Sequence, residues 1–298
     1  MIISASRRTD IPAFYADWFL RRLEAGYCQV ANPFNSRQVR SVSLRPEDVD
    51  AVVFWTKYAG PLRARLDELD ASGIPYYFLY TLTRYGRVLE PRVPPPGKLV
   101  EDFLALSRQI GPERVIWRYD PIIVSREFSP DRHLEVFAEL AAALQGATRR
   151  VIISFVDYYA KTRKNLAGYL RQYGPTVERP EQEPWFERFI TSLASMCTEF
   201  DLEIRSCAET RPMERFGVRN GKCIDNEYIR QTLGVEVPGR KDPGQRGACG
   251  CVTSVDIGAY DTCVHGCRYC YATRNHRLAL NRYQRIDPKG PSLNEGAD

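Results

Sequence analysis

The chain has 298 residues, 44% of them apolar, and carries a net charge of +5 from 42 basic and 37 acidic residues. That length fits one large domain with a full core, while no run reaches the roughly 18 apolar residues of a membrane span, and the start, Met1-Ile-Ile-Ser-Ala-Ser-Arg-Arg8, does not read as a signal peptide. The positive charge is nearly all arginine, since only seven lysines occur, and charge alone does not establish nucleic-acid binding.

In chain order, short β-branched or aromatic runs alternate with longer amphipathic ones. Strands are expected at 2–6, 28–32, 51–56, 76–82, 114–119, 150–156 and 202–207, with 252–257 as an eighth. Helices are expected at 13–25 after Pro12, and at 62–71, 98–110, 130–144 and 185–200. Strands separated by helices favour a parallel sheet, and eight of them favour closure, so the expected fold is α/β, a (β/α) TIM-like barrel. One domain over 1–298 is expected, because the Pro-rich connector at 91–97, the polar excursion at 174–184 and the Gly/Pro/charged loop at 237–250 do not read as domain linkers. There is no internal repeat and no heptad stretch.

Barrel active sites sit at the C-terminal ends of the strands. The polar residues expected there are Arg7, Arg8 and Asp10 after the first strand, then Asn32, Asn35, Lys57, Thr81 and Thr83. Arg118, Asp120, Ser154, Asp157 and Glu209 follow on the later strands. Arginine suits a carboxylate or phosphate, and the acids suit hydroxyls or an amino group. Either these residues form a polar mouth or they pair with one another around the rim.

Cysteine carries the sharpest signal. In Asp261-Thr-Cys-Val-His-Gly-Cys-Arg-Tyr-Cys-Tyr271, three residues separate Cys263 from Cys267 and two separate Cys267 from Cys270. Three thiolates on one loop can hold three irons of a cubic cluster and leave the fourth open, or a further thiolate can complete a zinc tetrahedron. Gly266 relaxes the backbone between the first two cysteines. Cys207, Cys223, Cys249 and Cys251 form a second set, readable as an auxiliary [4Fe–4S] cluster, a zinc staple, or buried or redox cysteines. Segment 207–270 therefore supplies the metal-binding part of the domain. Cys28 and Cys197 lie in apolar patterning and are expected in the core.

Three histidines are too few for a histidine-rich metal site. His265 is expected on a surface loop and His133 on the outer face of its helix. No Gly-Lys-Ser/Thr loop and no Gly-x-Gly-x-x-Gly follows a strand. Tyr158, Tyr159, Tyr169 and Tyr173 alternate with Lys161, Arg163, Lys164 and Arg171. That pattern fits a helix with tyrosines inward and charges outward, and it also fits a stacking surface for single-stranded nucleic acid.

The triplet, with Tyr269 just before its last cysteine, resembles the radical S-adenosylmethionine enzymes. The run Tyr-Cys-Tyr-Ala at 269–272 is similar to the loop of spore photoproduct lyases. Over nearly its full length the chain resembles the family called domain of unknown function 1848, through 4–12, 32–35, 54–57, 114–121 and Cys249-Gly-Cys251. The radical-enzyme resemblance implies a [4Fe–4S] cluster, with a second one in prospect, and S-adenosylmethionine. It also implies an electron donor such as a ferredoxin or flavodoxin, and a 5′-deoxyadenosyl radical that abstracts hydrogen from a substrate. Tyr269, Arg7, Asp10, Arg118, Asp120 and Glu209 are the expected cofactor-binding residues. Such enzymes carry the triplet after the first strand, so its late position implies a circular permutation in which 252–257 lies beside 2–6. The stretch Ser6-Arg-Arg-Thr-Asp10 stands where many members have Gly-Gly-Glu. The alternatives are a nucleic-acid-modifying or repair enzyme of the photoproduct-lyase type, and a zinc-stapled binding protein without catalysis. In each case the protein is expected to be cytoplasmic, with reduced cysteines.

Overall fold

The runs Ala51–Thr56, Tyr76–Thr81 and Arg150–Phe155 are buried on both faces, which requires cover above and below a sheet. In the computed structural model, which describes residues 1–33 and 35–293, the strands are β1 (Ile2–Ala5), β2 (Tyr27–Asn32), β3 (Asn35–Ser43), β4 (Ala51–Thr56) and β5 (Tyr76–Thr81). They continue as β6 (Val115–Ile122), β7 (Arg150–Phe155), β8 (Glu203–Cys207), β9 (Arg219–Gly221) and β10 (Val255–Asp256). Phe34, within the 32–35 stretch, lies outside the described residues.

Eight of these strands form one sheet in the order β10-β1-β4-β5-β6-β7-β8-β9, and each neighbouring pair is parallel. β10 lies beside β1 as expected, with Ile3 opposite Val255 and Ser4 opposite Asp256. Between the end strands, Val252 N donates to Ile224 O at 3.1 Å, so the chain after β9 meets the chain before β10.

The expected strand at 28–32 is not part of this sheet. It pairs antiparallel with β3 as a separate two-stranded hairpin. Its alternation is the reason: Cys28 is buried opposite Val42 while Tyr27 is exposed, as suits a ribbon with one face in the core. Asn32 and Asn35 go with the hairpin and do not line the strand-end cavity. The vacant place in the sheet is filled by β9, whose Arg-Asn-Gly holds no apolar residue to announce it.

Period-2 alternation sends each strand's residues to two cores. Val52, Phe54 and Phe78 face Phe19 and Phe103 of the covering helices. Phe54 and Phe78 stack at 4.7 Å, and Trp117 stacks on Phe137 at 4.7 Å. Each such ring contributes about 1.5–3 kcal/mol by burial. On the other face Val53, Trp55, Tyr77 and Leu79 pack with Cys207, Cys223, Cys249 and Cys251. Cys28 and Cys197 are core residues, as expected.

His133 corrects the outward assignment. It is 2% exposed, and its ring bonds to the Tyr119 hydroxyl at 2.7 Å and the Ile123 carbonyl at 3.0 Å. Tyr119, at a buried place on β6, needs a partner for its hydroxyl, and this turns the helix face inward.

Candidate functional site

A cavity of about 720 Å³ opens at the C-terminal ends of the parallel strands. All seven cysteines of the two expected sets line it, together with Arg7, Asp10, Arg118, Asp120 and Tyr269. Glu209 is not among its lining residues. Its carboxylate accepts from Phe155 N at 2.8 Å, and burial pushes its pKa up to about 7.

β10 leads into the triplet loop. Asp256 at its end accepts from the Ser4 and Ser6 hydroxyls at 2.8 and 2.7 Å and from Arg7 N at 2.9 Å, which ties the loop's base to β1. A Cβ on Gly258 would collide with the Ser6 side chain, so only glycine lets the chain turn there. Gly266, between Cys263 and Cys267, takes the left-handed φ of 73°. Asp261 holds the far side of the loop by accepting from Arg274 N at 2.5 Å and Asn275 N at 3.1 Å. The Asn165 amide donates to the carbonyls of Cys270 and Thr273, each at 2.8 Å.

Two buried carboxylates brace the loop from within. Asp10 accepts from Thr56 Oγ1 at 2.7 Å, Lys57 N at 2.7 Å, Ala13 N at 3.1 Å and His265 Nε2 at 2.7 Å. His265 is therefore a buried strut, 2% exposed, and not a surface residue. The phenol of Tyr269 donates to Glu90, which also accepts from Lys57 Nζ at 2.6 Å and Thr83 Oγ1 at 3.1 Å. Burial alone would lower the Lys57 pKa, but Glu90, Cys267 and Asp10 hold it above the ordinary value. Glu90 could not be found from sequence, because it stands just before a Pro-rich connector and gains its role only when Tyr269 arrives. The brace at Asp256 had one signal, an acid at the end of the motif strand.

Burial pushes the Cys263 thiol up to about 12 and Cys267 well above its usual range. Burial keeps these thiols protonated, as it does those of the core residues Cys28 and Cys197, so they become ligands only where a cation compensates the thiolate. Cys270 Sγ already accepts from Thr273 N at 3.3 Å.

Across the cavity, Cys207 and Cys223 lie sulfur to sulfur at 3.3 Å, and Cys251 Sγ accepts from Ile224 N at 3.4 Å. Cys251 is pulled down by thiol hydrogen bonds from Cys223 and Cys249, against burial and with help from Arg7. Cys207 is likewise pulled down by Cys223, again against burial, with Arg118 nearby. Arg7 lies over the Trp55 ring at 4.9 Å, and Arg118 pairs with Asp120, which accepts from Ser154 Oγ at 2.6 Å. Among the described residues, no three or more His, Cys, Asp or Glu side chains are arranged to hold a metal ion as they stand. Ligation by either set therefore requires its thiols to draw together. Soft sulfur donors, backbone N–H bonds to sulfur and flanking cations suit an iron–sulfur cluster or zinc.

No helix among the described residues is long and apolar enough to cross a membrane. No curated protein matches the chain. Among solved structures, a candidate alpha-L-fucosidase from Bacteroides thetaiotaomicron VPI-5482 is similar at 10% identity and a TM-score of 0.28, with 81% of this chain and 83% of that one covered, too distant to carry fold or function. The family is clear from sequence: the model described as a domain of unknown function (DUF1848) matches residues 2–272, and the chain belongs to that family.

Proposed function

We propose that the protein is an iron–sulfur enzyme of the radical S-adenosylmethionine type. In this reading Cys263, Cys267 and Cys270 hold a [4Fe–4S] cluster, and Cys207, Cys223, Cys249 and Cys251 hold a second metal centre. The observation that carries it is the triplet loop, which leaves β10 directly onto the cavity at the C-terminal strand ends, where α/β folds keep their reactive groups. The sheet order also supports it. The parallel order that starts at β10 and β1 is consistent with a circularly permuted (β/α) barrel, and the Val252–Ile224 contact beyond the unpaired end strands β10 and β9 supports that reading.

When bound, such a cluster supplies one-electron cleavage of S-adenosylmethionine and hence hydrogen abstraction from carbon. The chain's own residues do the rest. Metal binding displaces the protons of the buried thiols, and the Lys57 ammonium favours the Cys267 thiolate. Tyr269, Glu90 and Lys57 fix the loop, Asp10 holds its middle through His265, and Asp256 and Asp261 fix its two approaches. With its acceptors taken by four donors, Asp10 serves as a brace. Arg7 and Arg118 lie against the four-cysteine set and offset its negative charge. The proposed electron donor is a ferredoxin or flavodoxin.

The test is anaerobic purification and reconstitution, with iron, sulfide and zinc determined per chain, then dithionite and S-adenosylmethionine. About eight irons, four for each of two cubic clusters, together with release of 5′-deoxyadenosine, is the expected result. Zinc without iron and no 5′-deoxyadenosine overturns the reading in favour of a zinc-stapled binding protein. Four irons with zinc keeps the enzyme and makes the second centre structural.

A further inference from the structure

The helix Ala160–Tyr173 starts on the cavity wall, where Tyr159, Ala160, Lys161 and Thr162 all line the space. No side chain caps the N-terminus of this 14-residue helix. Its first-turn N–H groups therefore remain available, and the positive end of its dipole favours an anion. An independent observation lies in the same turn. Thr162 is 1% exposed, and its hydroxyl has no hydrogen-bond partner. A buried polar group left so is costly unless a ligand answers it.

The charges beside this turn point the same way. Lys161 has no carboxylate partner among the described residues, and its ammonium lies 4.3 Å from the centre of the Tyr260 ring; the Arg8 guanidinium lies 5.0 Å from the same ring but is paired with Asp256 at 4.0 Å, so Lys161 is the cation left for a ligand. The acid nearby in sequence, Asp157, is occupied by Arg246. Next to the turn stand two exposed rings: Tyr159 and Tyr271 are 43% and 44% exposed, and their centres are 6.3 Å apart. Both line the cavity. Two partly exposed rings beside a cationic turn, tilted 58° to one another and with the Tyr271 hydroxyl donating to Arg7 O at 2.8 Å, are what a phosphorylated planar ring uses, by stacking and charge-assisted hydrogen bonds.

We propose that this end of the cavity binds a nucleoside monophosphate unit as part of the substrate. The phosphate rests on the helix N-terminus, the Thr162 hydroxyl and Lys161, and the base rests on Tyr159 and Tyr271. The inference deepens the reading above by naming a substrate class, and rests on it only for the chemistry that follows binding. S-adenosylmethionine has no phosphate, so dependence on phosphate separates this cradle from the site for that cofactor. The unit can arrive as a free nucleotide or at the end of a single strand, since both present the same group.

The experiment is isothermal titration calorimetry on the full chain, metal-free and reconstituted. The probes are the four nucleoside 5′-monophosphates, their nucleosides, inorganic phosphate and a short 5′-phosphorylated single strand. At least one monophosphate should bind about tenfold or more tighter than its nucleoside and than inorganic phosphate, as expected for a site that needs both charge-assisted bonds and stacking. Lys161→Gln and Thr162→Val should each weaken it about tenfold. Thr162→Val should leave stability undiminished, because it removes a hydroxyl that has no partner, while Arg163→Gln, on the same helix outside the cavity, should change nothing. Tighter binding of the strand assigns the unit to nucleic acid, and equal or weaker binding assigns it to a free nucleotide. Nucleoside binding as tight as the monophosphate, variants without effect, or no binding at all overturns the proposal. Phosphate-dependent binding by a protein that takes up no iron keeps this inference and removes the enzyme reading. Release of 5′-deoxyadenosine without nucleotide binding does the reverse.

Discussion

His265 Nε2 donates to Asp10 Oδ2 at 2.7 Å, and both residues are buried, so the middle of the triplet loop is fastened to the segment after β1, more than 250 positions away in sequence. Asp10 at the same time caps the helix Ile11–Phe14 and binds Thr56 and Lys57 N. Removing the carboxylate strands all four donors. Asp10→Ala is expected to cost roughly 3–5 kcal/mol, the range for breaking a buried charged network, and Asp10→Asn clearly less, because it keeps an acceptor. Urea unfolding measures both, and a cost below about 1 kcal/mol for the alanine variant contradicts the bracing role.

The Glu90 cluster gives a second test. Lys57→Met leaves Glu90 buried at 3% exposure with only the Tyr269 and Thr83 hydroxyls. The expected loss is about 3–5 kcal/mol for an unpaired buried charge. Glu90→Gln keeps an acceptor for Tyr269 and removes the charge mismatch, so the double variant should recover part of the loss. A double-mutant cycle checks this, and strictly additive single effects would show that Lys57 and Glu90 do not act as a unit.

His133 sets a pH dependence remote from the cysteines. Burial lowers its pKa to about 4, partly opposed by the Ile123 carbonyl, against about 6.5 in an unfolded chain. The folded state thus binds the proton more weakly. Its contribution is complete above about pH 6.5 and is lost as pH falls from there towards 4, to a total of about 3 kcal/mol. His133→Leu should flatten the stability profile in that window. An unchanged slope in urea melts from pH 6.5 to 4 would count against the buried neutral imidazole.

How much of this was legible in the sequence depended on the range of the forces involved. The seven strands of the main sheet that were expected have apolar runs or, for 252–257, stand next to the motif, and all are present. The 28–32 strand was recognised as a strand but misplaced, because pairing partners are not written in local pattern. β9 was missed because Arg-Asn-Gly has no pattern to read. The two cysteine sets could be read from their spacing, but their convergence on one cavity could not, because it depends on how distant strands are paired. Nor could the bracing groups Glu90, Asp256 and His265, since their roles arise from contacts between distant segments. The uncapped turn at 160–162 left only a trace, tyrosines alternating with basic residues, which fits an ordinary helix equally well.

The two cysteine sets should be separable by mutation. Replacing Cys263, Cys267 and Cys270 together by alanine is expected to remove about half of the reconstituted iron, one of two cubic clusters, and all release of 5′-deoxyadenosine. It should change stability little, because hydrogen bonds to Asp261 and from Asn165 still hold the loop. Replacing Cys249 and Cys251 should remove the other half and also destabilise the metal-loaded protein, since those residues join the chain before β10 to the chain after β9 and a metal there contributes folding energy directly. Iron and sulfide analysis paired with thermal unfolding before and after chelation distinguishes the two. If either variant loses all its iron, the seven thiols serve a single centre, and the division into a catalytic and a second site is wrong.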